Sequence, residues 1–390
     1  MKINSKIITN LFCLLYFLWG TFTLLYQAVN IPFLVSRTFN NIFNILIING
    51  LVICYFLLLQ DLDFKLSIIA FFGVLVVVFL SVIPAEYQVG LGIILFTSSM
   101  FIVVGGNINF NSILKTFIWF SSIILCFTII FNKFGIIADG VTMDLLSIRT
   151  RRSLGFKYYS YPAHIIFYLI GAVVVYRGKK ITYFELLVLE IANTWIYLQT
   201  DTRTSFLLSS FLIGYALIKK IFHCKKGLIK FKAMRVIYSF SFLISFLLIC
   251  IISFRLSSAR FVTLNKLFSG RLSLNAGNFS RYGLALFGRN ITFNTSDPNF
   301  YNYIDSAYLQ ILLIDGIVFF IVMMIMLTYA TIKITNEGND NLAMVLFIIS
   351  IFAMFDPQLI WAWYSPFCLL MGMCISLKSK KNRMILSTSE

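Results

Sequence analysis

Charge is scarce in this chain. Of 390 residues only 12% are Asp, Glu, Lys or Arg, while 59% are hydrophobic. Soluble domains carry about 25% charged and roughly 45–50% apolar residues. That difference excludes a soluble globular protein, a disordered chain and a disulfide-stapled secreted domain. Histidine occurs twice, too rarely for a zinc site to be expected. Of the seven cysteines, all but Cys224 fall inside apolar runs, and no pair has metal-ligand spacing on a polar segment. There is no Walker loop and no GxGxxG, so nothing points to nucleotide chemistry. An Asp61-Leu62-Asp63 triplet has the form of a metal-dependent glycosyl-transfer motif. It falls in a short polar connection and reads better as a solvated turn.

What the chain has in abundance is apolar runs long enough to cross a bilayer. The mean hydropathy is +0.89. The expected fold class is an all-α polytopic integral membrane protein, a single membrane domain over residues 1–390. About twelve spans of roughly 20 residues are expected. They run near Ile7–Val29, Asn41–Leu59, Leu66–Pro84, Gln88–Val104, Ser112–Phe131, Tyr161–Tyr176, Ile181–Thr200, Ser205–Lys219, Val236–Phe254, Ala307–Thr331, Leu342–Phe355 and Ser365–Leu377. Lys2 and Lys6 precede the first run and no small-residue cleavage site follows it, so it is expected to stay as an anchor.

Lys and Arg in short loops set the orientation. The Arg177–Lys180 turn, the Lys219–Arg235 loop and the tail from Lys378 to Arg383 are all basic. With twelve spans they share a side with the N-terminus, so both termini are expected in the cytoplasm. By that topology the inside holds 16 Lys and 3 Arg, and the outside 3 Lys and 10 Arg. Arginine on the outside runs against the usual preference. Its planar fork suits two-pronged contacts with phosphate or carboxylate. The plain alternative is that long outer loops translocate whatever their charge.

Two outer loops are long, residues 132–160 and 255–306, and long structured loops are usually functional. The first carries Arg149, Arg151 and Arg152, then Tyr158, Tyr159 and Tyr161, then Pro162 and His164. Tyrosines there can stack on sugar rings or simply form an interfacial belt. Pro162 suits the first helical turn and puts His164 one turn in. Glu185 and Glu190 in the seventh run, and Asp315 in the tenth, are candidate intramembrane carboxylates. Asp201 and Arg203 sit in a tight turn at the outer surface. The second loop opens on an expected interfacial helix, Ser257–Phe268, closed by Gly270. Arg271, Arg281, Arg289, Asp305 and Tyr308 follow. Asp305 also reads as a helix N-cap.

Taken together, these features resemble a bacterial polysaccharide polymerase of the Wzy type, in the wider O-antigen polymerase/ligase group. The resemblance rests on order and topology from about Arg149 to Gly316. Arg152-Ser153-Leu154-Gly155-Phe156 precedes Tyr161-Pro162-Ala163-His164. Thr202-Arg203-Thr204-Ser205 starts the helix before the large loop. Ser269-Gly270-Arg271 lies within that loop, and Asp305-Ser306-Ala307-Tyr308 leads to Leu312-Leu313-Ile314-Asp315-Gly316. The family's Arg-x10-Gly pattern is missing: Arg260 and Gly270 have nine residues between them, and the first loop has no match. Ligases of the group carry a histidine in the large second loop, and this loop has none.

The resemblance implies glycosyl transfer without a metal or other cofactor, at the outer face of a bacterial cytoplasmic membrane. The substrate would be an undecaprenyl-diphosphate-linked oligosaccharide, moved to the nonreducing end of the next lipid-linked repeat. A chain-length regulator and a flippase are the implied partners; nucleic acid is not one. Fixed cations would then stabilise the departing diphosphate. The catalytic candidates are Arg203 and Arg271 as cations, and Asp305 and His164 as bases. Asp201 and Glu190 are weaker candidates for the base. Arg152, Arg151, Arg149, Arg289, Arg281, Tyr308 and Tyr161 are candidates for holding diphosphate or glycan. Two rivals remain: a ligase acting on another acceptor, and a transporter of lipid-linked oligosaccharide that uses the intramembrane carboxylates. A flippase predicts two similar halves, which are not visible.

Overall fold

The computed structural model describes residues 5–31, 36–59, 71–73, 75–80, 91–144, 149–223, 227–254, 259–268, 270–294 and 301–375. Asp61-Leu62-Asp63, much of the expected third span, Cys224, the start of the large loop at 255–258, Ser269 and the basic tail lie outside them. The described chain is a bundle of apolar helices, that of an all-α membrane protein. Six helices are long and apolar enough to cross a membrane, and a bent pair adds a seventh.

The first half holds α1 (Ser5–Ala28), α2 (Arg37–Leu58), α3 (Leu91–Gly105) and α4 (Phe110–Lys133). Their lipid-facing sides are as apolar as their cores, so packing shape and buried polar contacts set the register. Trp19 on α1 donates to Asn44 Oδ1 on α2 at 2.9 Å, and Thr97 on α3 donates to the same oxygen at 2.9 Å. Three helices are thereby pinned through one amide.

The first long loop then forms a β-hairpin, an addition to the all-helical expectation. Strand β1 (Val141–Asp144) pairs antiparallel with β2 (Arg149–Arg152). Asp139 Oδ1 closes its base by accepting from the Ser153 backbone and hydroxyl, both at 3.0 Å. Leu154 and Gly155 turn the chain through the left-handed region. The turn docks on the end of α1: Lys157 N donates to Ala28 O at 2.8 Å, and Asn30 N to Gly155 O at 2.9 Å. The Ser153–Phe156 part of the expected motif is therefore buried as an anchor.

The second half holds α5 (Tyr161–Arg177), α6 (Tyr183–Thr200), α7 (Arg203–Ile221), α8 (Lys232–Ser239), α9 (Ser241–Phe254), α10 (Ala259–Leu267), α11 (Arg271–Tyr282), α12 (Ala307–Ile314), α13 (Gly316–Asn336) and α14 (Asp340–Phe352). Two expected spans are broken. The ninth is α8 and α9, bent by 71°. The tenth breaks at Asp315, where Gly316 has φ +89°. Into that break the large loop inserts backbone: Arg289 N donates to Ile314 O, and Ile317 N to Ala285 O.

After α14 the backbone is irregular and almost wholly buried to Ile375, including a 3-10 segment Pro366–Cys374 where the twelfth span is expected. Non-helical backbone at membrane depth is tolerated only inside protein or along a cavity. Here neighbours hold it. Tyr16 on α1 donates to Ala362 O at 2.7 Å, and Ala362 N to Ser98 Oγ on α3 at 3.3 Å. A Cβ on Gly106 would lie 2.1 Å from Gly372 O, so only glycine permits this approach.

The two bundle ends differ. One holds Arg177, Lys219, Lys230 and Lys232, with Asp340 buried among Tyr215, Lys219 and the Ile229 amide. The other holds the hairpin, α10, α11 and the starts of α5, α7 and α12.

Candidate functional site

The second end of the bundle brings parts of both long loops together. His164 stands on the first turn of α5, after Pro162. Arg271 opens α11, beyond the left-handed Gly270. Asp305 lies just before α12. Arg271 Nε sits 3.3 Å from Asp305 Oδ2, and Arg271 Nη1 donates to Phe355 O at 3.2 Å. His164 Nδ1 sits 3.2 Å from Asp356 Oδ1. Because Phe355 and Asp356 are adjacent, the two pairs share one turn at the C-terminus of α14. Phe268 stacks on Phe355 at 4.6 Å and helps hold α10 there.

A wall of phenols encloses this centre. Tyr168 and Tyr364 are buried and Tyr161 is half-buried, with ring centroids 5.7–6.3 Å apart along Tyr161–Tyr364–Tyr168. Tyr303 faces Tyr161, Asp305 and Asp356. Tyr301 faces Asp305, Tyr159 and Arg271. Arg151 of the hairpin donates to the Tyr159 hydroxyl at 2.8 Å and lies over its ring, and the Tyr158 and Tyr159 hydroxyls meet at 3.2 Å. The first loop therefore reaches the second through tyrosines.

The loop groups of this centre are electrostatically strained. Burial pushes the Asp305 carboxyl above its ordinary range, and Asp356 adds to the rise while Arg271 and His164 pull against it. Burial pushes Tyr301 up to about 12, with Asp305 adding to it. Tyr158 and Tyr303 are raised for the same first reason. These phenols stay protonated and can donate to ligand oxygens. Neither oxygen of Asp356 receives a well-aligned hydrogen bond, and the Tyr364 hydroxyl and Trp363 Nε1 are also sealed and unsatisfied. Such orphaned buried groups ask for an explanation in function.

Arg271, Asp305, His164 and Tyr161 are thus brought together, with Arg151 behind the tyrosines. The other candidates are placed differently. Arg203 opens α7, is 59% exposed and faces Asp201 Oδ1 at 3.5 Å. Among the described residues no hydrogen bond or ion pair joins it to Arg271 or His164. Arg152 is exposed on β2, and Arg149 lies opposite Asp144 in the hairpin. Arg281 lies over the ring of Tyr282, and Arg289 donates to the Tyr282 carbonyl. Tyr308 is buried, and its hydroxyl donates to Ser350 O at 2.8 Å. Asp305 is not the cap of α12: Ser306 occupies that position.

Two expected intramembrane carboxylates also take other roles. Glu185 closes a capping box with Thr182 at the start of α6 and pairs with Arg177 Nε at 2.7 Å. It sits at a helix end rather than mid-span, because the Thr182-to-Glu185 spacing begins the helix there. Glu190 accepts from Ser210 of α7 at 2.6 Å.

Asp356 is the residue that sequence reasoning passes over. It falls between two expected spans, where a carboxylate looks like an ordinary loop residue. The signal is its setting, one acid in a run of apolar and aromatic residues from Leu342 to Met373. Among the described residues, no three His, Cys, Asp or Glu side chains gather as a metal site would need. The chain matches no family model, no curated protein and no solved structure.

Proposed function

We propose that this protein is a membrane glycosyltransferase that polymerises lipid-linked oligosaccharide repeat units. The observation that carries the reading is the meeting of both long loops at one bundle end, around Arg271–Asp305 and His164–Asp356. A donor glycan on undecaprenyl diphosphate would enter this centre from the membrane. The acceptor hydroxyl attacks the anomeric carbon, and the bond from that carbon to the diphosphate oxygen breaks. The diphosphate leaves with the electron pair, and the acceptor proton passes to His164 or Asp305. Arg271, held on two sides, offers a pre-set cation to the growing charge. The phenols and Arg151 offer donors and stacking faces to sugar. The lipid diphosphate is already activated, so the step requires no nucleotide.

In this reading the chain crosses a bacterial cytoplasmic membrane about twelve times, each span near 20 residues or less. Its lysine-rich end faces the cytoplasm and the centre faces outward. A flippase would supply the repeat units and a regulator would set chain length. The broken helices at Phe240 and Asp315 favour a second reading, a transporter of lipid-linked oligosaccharide.

The test is the lipid-linked glycan profile of cells lacking the gene, before and after restoration. Single repeats left on the lipid at the outer face, with long chains gone, support the polymerase. Repeats held at the cytoplasmic face support the transporter. Long chains that stay on the lipid and never reach a final acceptor mean a ligase.

A further inference from the structure

Asp356 is wholly buried, yet it accepts no well-aligned hydrogen bond. A carboxylate is left in that state only where something else compensates it. Its charge-bearing neighbour is His164, whose Nδ1 lies 3.2 Å from Oδ1, and the Tyr168 phenol faces the same carboxylate. The Nδ1 atom is sealed from solvent and, like both Asp356 oxygens, has no aligned hydrogen bond. The two unsatisfied atoms, 3.2 Å apart, need only a small turn of the ring to satisfy each other; the His164 side chain keeps 13% exposure. The accessible part of the ring is therefore on its other atoms. Phe352 at 5.2 Å and Tyr364 at 6.3 Å both meet the imidazole nearly edge-on, at 87° and 86°, and limit its rotation.

We propose that Asp356 is a positioning residue, which takes the Nδ1 proton of His164 as its hydrogen-bond partner and so leaves Nε2 as the proton acceptor of the site. This rests on the glycosyl-transfer reading for its consequence, though not for the pairing itself. A histidine with Nδ1–H held by a carboxylate has one tautomer and one orientation. In the reaction the acceptor oxygen loses its proton to Nε2 as it bonds to the anomeric carbon. The imidazolium formed is then stabilised by Asp356, which keeps its negative charge. Asp305 plays a parallel part by steadying Arg271. The two carboxylates thus divide the work, one orienting the base and the other the cation.

The chain holds two histidines, His164 and His223. His223 lies at the opposite end of the bundle, exposed, with φ +49°. Asparagine tolerates that conformation, so His223→Asn leaves His164 as the single imidazole. Nitrogen NMR of that protein, labelled with 15N-histidine at mildly alkaline pH and without substrate, reads the tautomer directly. The expected result is Nδ1 protonated and Nε2 bare. Nε2 protonated and Nδ1 bare overturns the proposal. In Asp356→Leu the ring should lose its Nδ1–H preference, and polymer formation should fall on the order of 100-fold at matched protein level. Asp356→Glu should recover both in part. Loss of the preference with full polymer would overturn the positioning role. If Asp356→Leu does not accumulate, the tautomer of the parent still decides the pairing. If gene deletion leaves the glycan profile unchanged, the polymerase reading falls, while the tautomer continues to test the pair.

Discussion

Arg271 is held by Asp305 from one side, its Nε 3.3 Å from the carboxylate, while its Nη1 reaches the Phe355 carbonyl on the other. Lysine would keep the charge but has no rigid fork to bridge a side chain and a main-chain oxygen. Arg271→Lys is therefore expected to reduce polymer formation on the order of 100-fold, as when one pre-set donor is removed from a charge-stabilising site. Arg203 meets the Asp201 carboxylate at 3.5 Å and is largely exposed. Arg203→Lys should therefore cost clearly less. Glycan profiles of the two variants, at equal protein level in membranes, make the comparison. An equal loss would put Arg203 in the centre too.

Asp305 gives a pH prediction. Burial raises its folded-state pKa above the unfolded value. The folded protein thus binds the proton more readily than the unfolded chain. The group's contribution to stability is fully present below the unfolded pKa and is lost as pH rises through the folded one. Asp305→Asn cannot ionise, so it escapes that loss. Relative to the parent, its melting temperature in detergent should rise as pH moves from acidic toward neutral. A parent that gains on the variant over that window would mean that Arg271 outweighs burial.

Gly155 ties the first loop to the bundle. Its φ is +86°, and a Cβ would meet Asn132 Cβ at 3.0 Å, Ile137 Cγ2 at 3.1 Å and Thr128 Cγ2 at 3.2 Å. Gly155→Ala combines left-handed strain with crowding, a loss of about 1–3 kcal/mol. It should lower the melting temperature by several degrees. Gly135 has φ +72° but open space around it. Gly135→Ala therefore carries the strain without the crowding and should lose less.

Much of the bundle can be read from hydropathy, because the bilayer sets the length of each span. The six helices and the bent pair that are long and apolar enough to cross a membrane each fall on an expected span. The breaks could not be read that way. The α12–α13 break depends on a backbone stretch near Ala285 that docks from far along the chain, and no local pattern encodes that. The same holds within the site. Arg271, Asp305 and His164 stand out in sequence as polar residues beside apolar runs. Asp356 becomes visible only when Tyr16 and Ser98, more than 250 positions away, are seen to hold its segment inside the protein. Glu185 misleads for the opposite reason: it looks intramembrane, but a threonine three residues earlier caps the helix and makes Glu185 its capping-box partner.

The sidedness of the centre can be tested without any enzymatic assay. Ser280 is exposed on α11, at the end that carries Arg271, while Lys232 is exposed at the start of α8, at the lysine-rich end. Gly227 is a poor reporter for that second end: its φ is +55°, and a Cβ there would lie 2.0 Å from Asp340 Oδ2. In a cysteine-free background, Ser280→Cys on intact cells should react with a membrane-impermeant thiol reagent. Lys232→Cys should react only after the membrane is opened. This follows from lysine-rich loops being retained in the cytoplasm. The reverse pattern would put Arg271, Asp305 and His164 on the cytoplasmic side. An outer-face polymerase could not work from there, and the transporter reading would have to account for the centre instead.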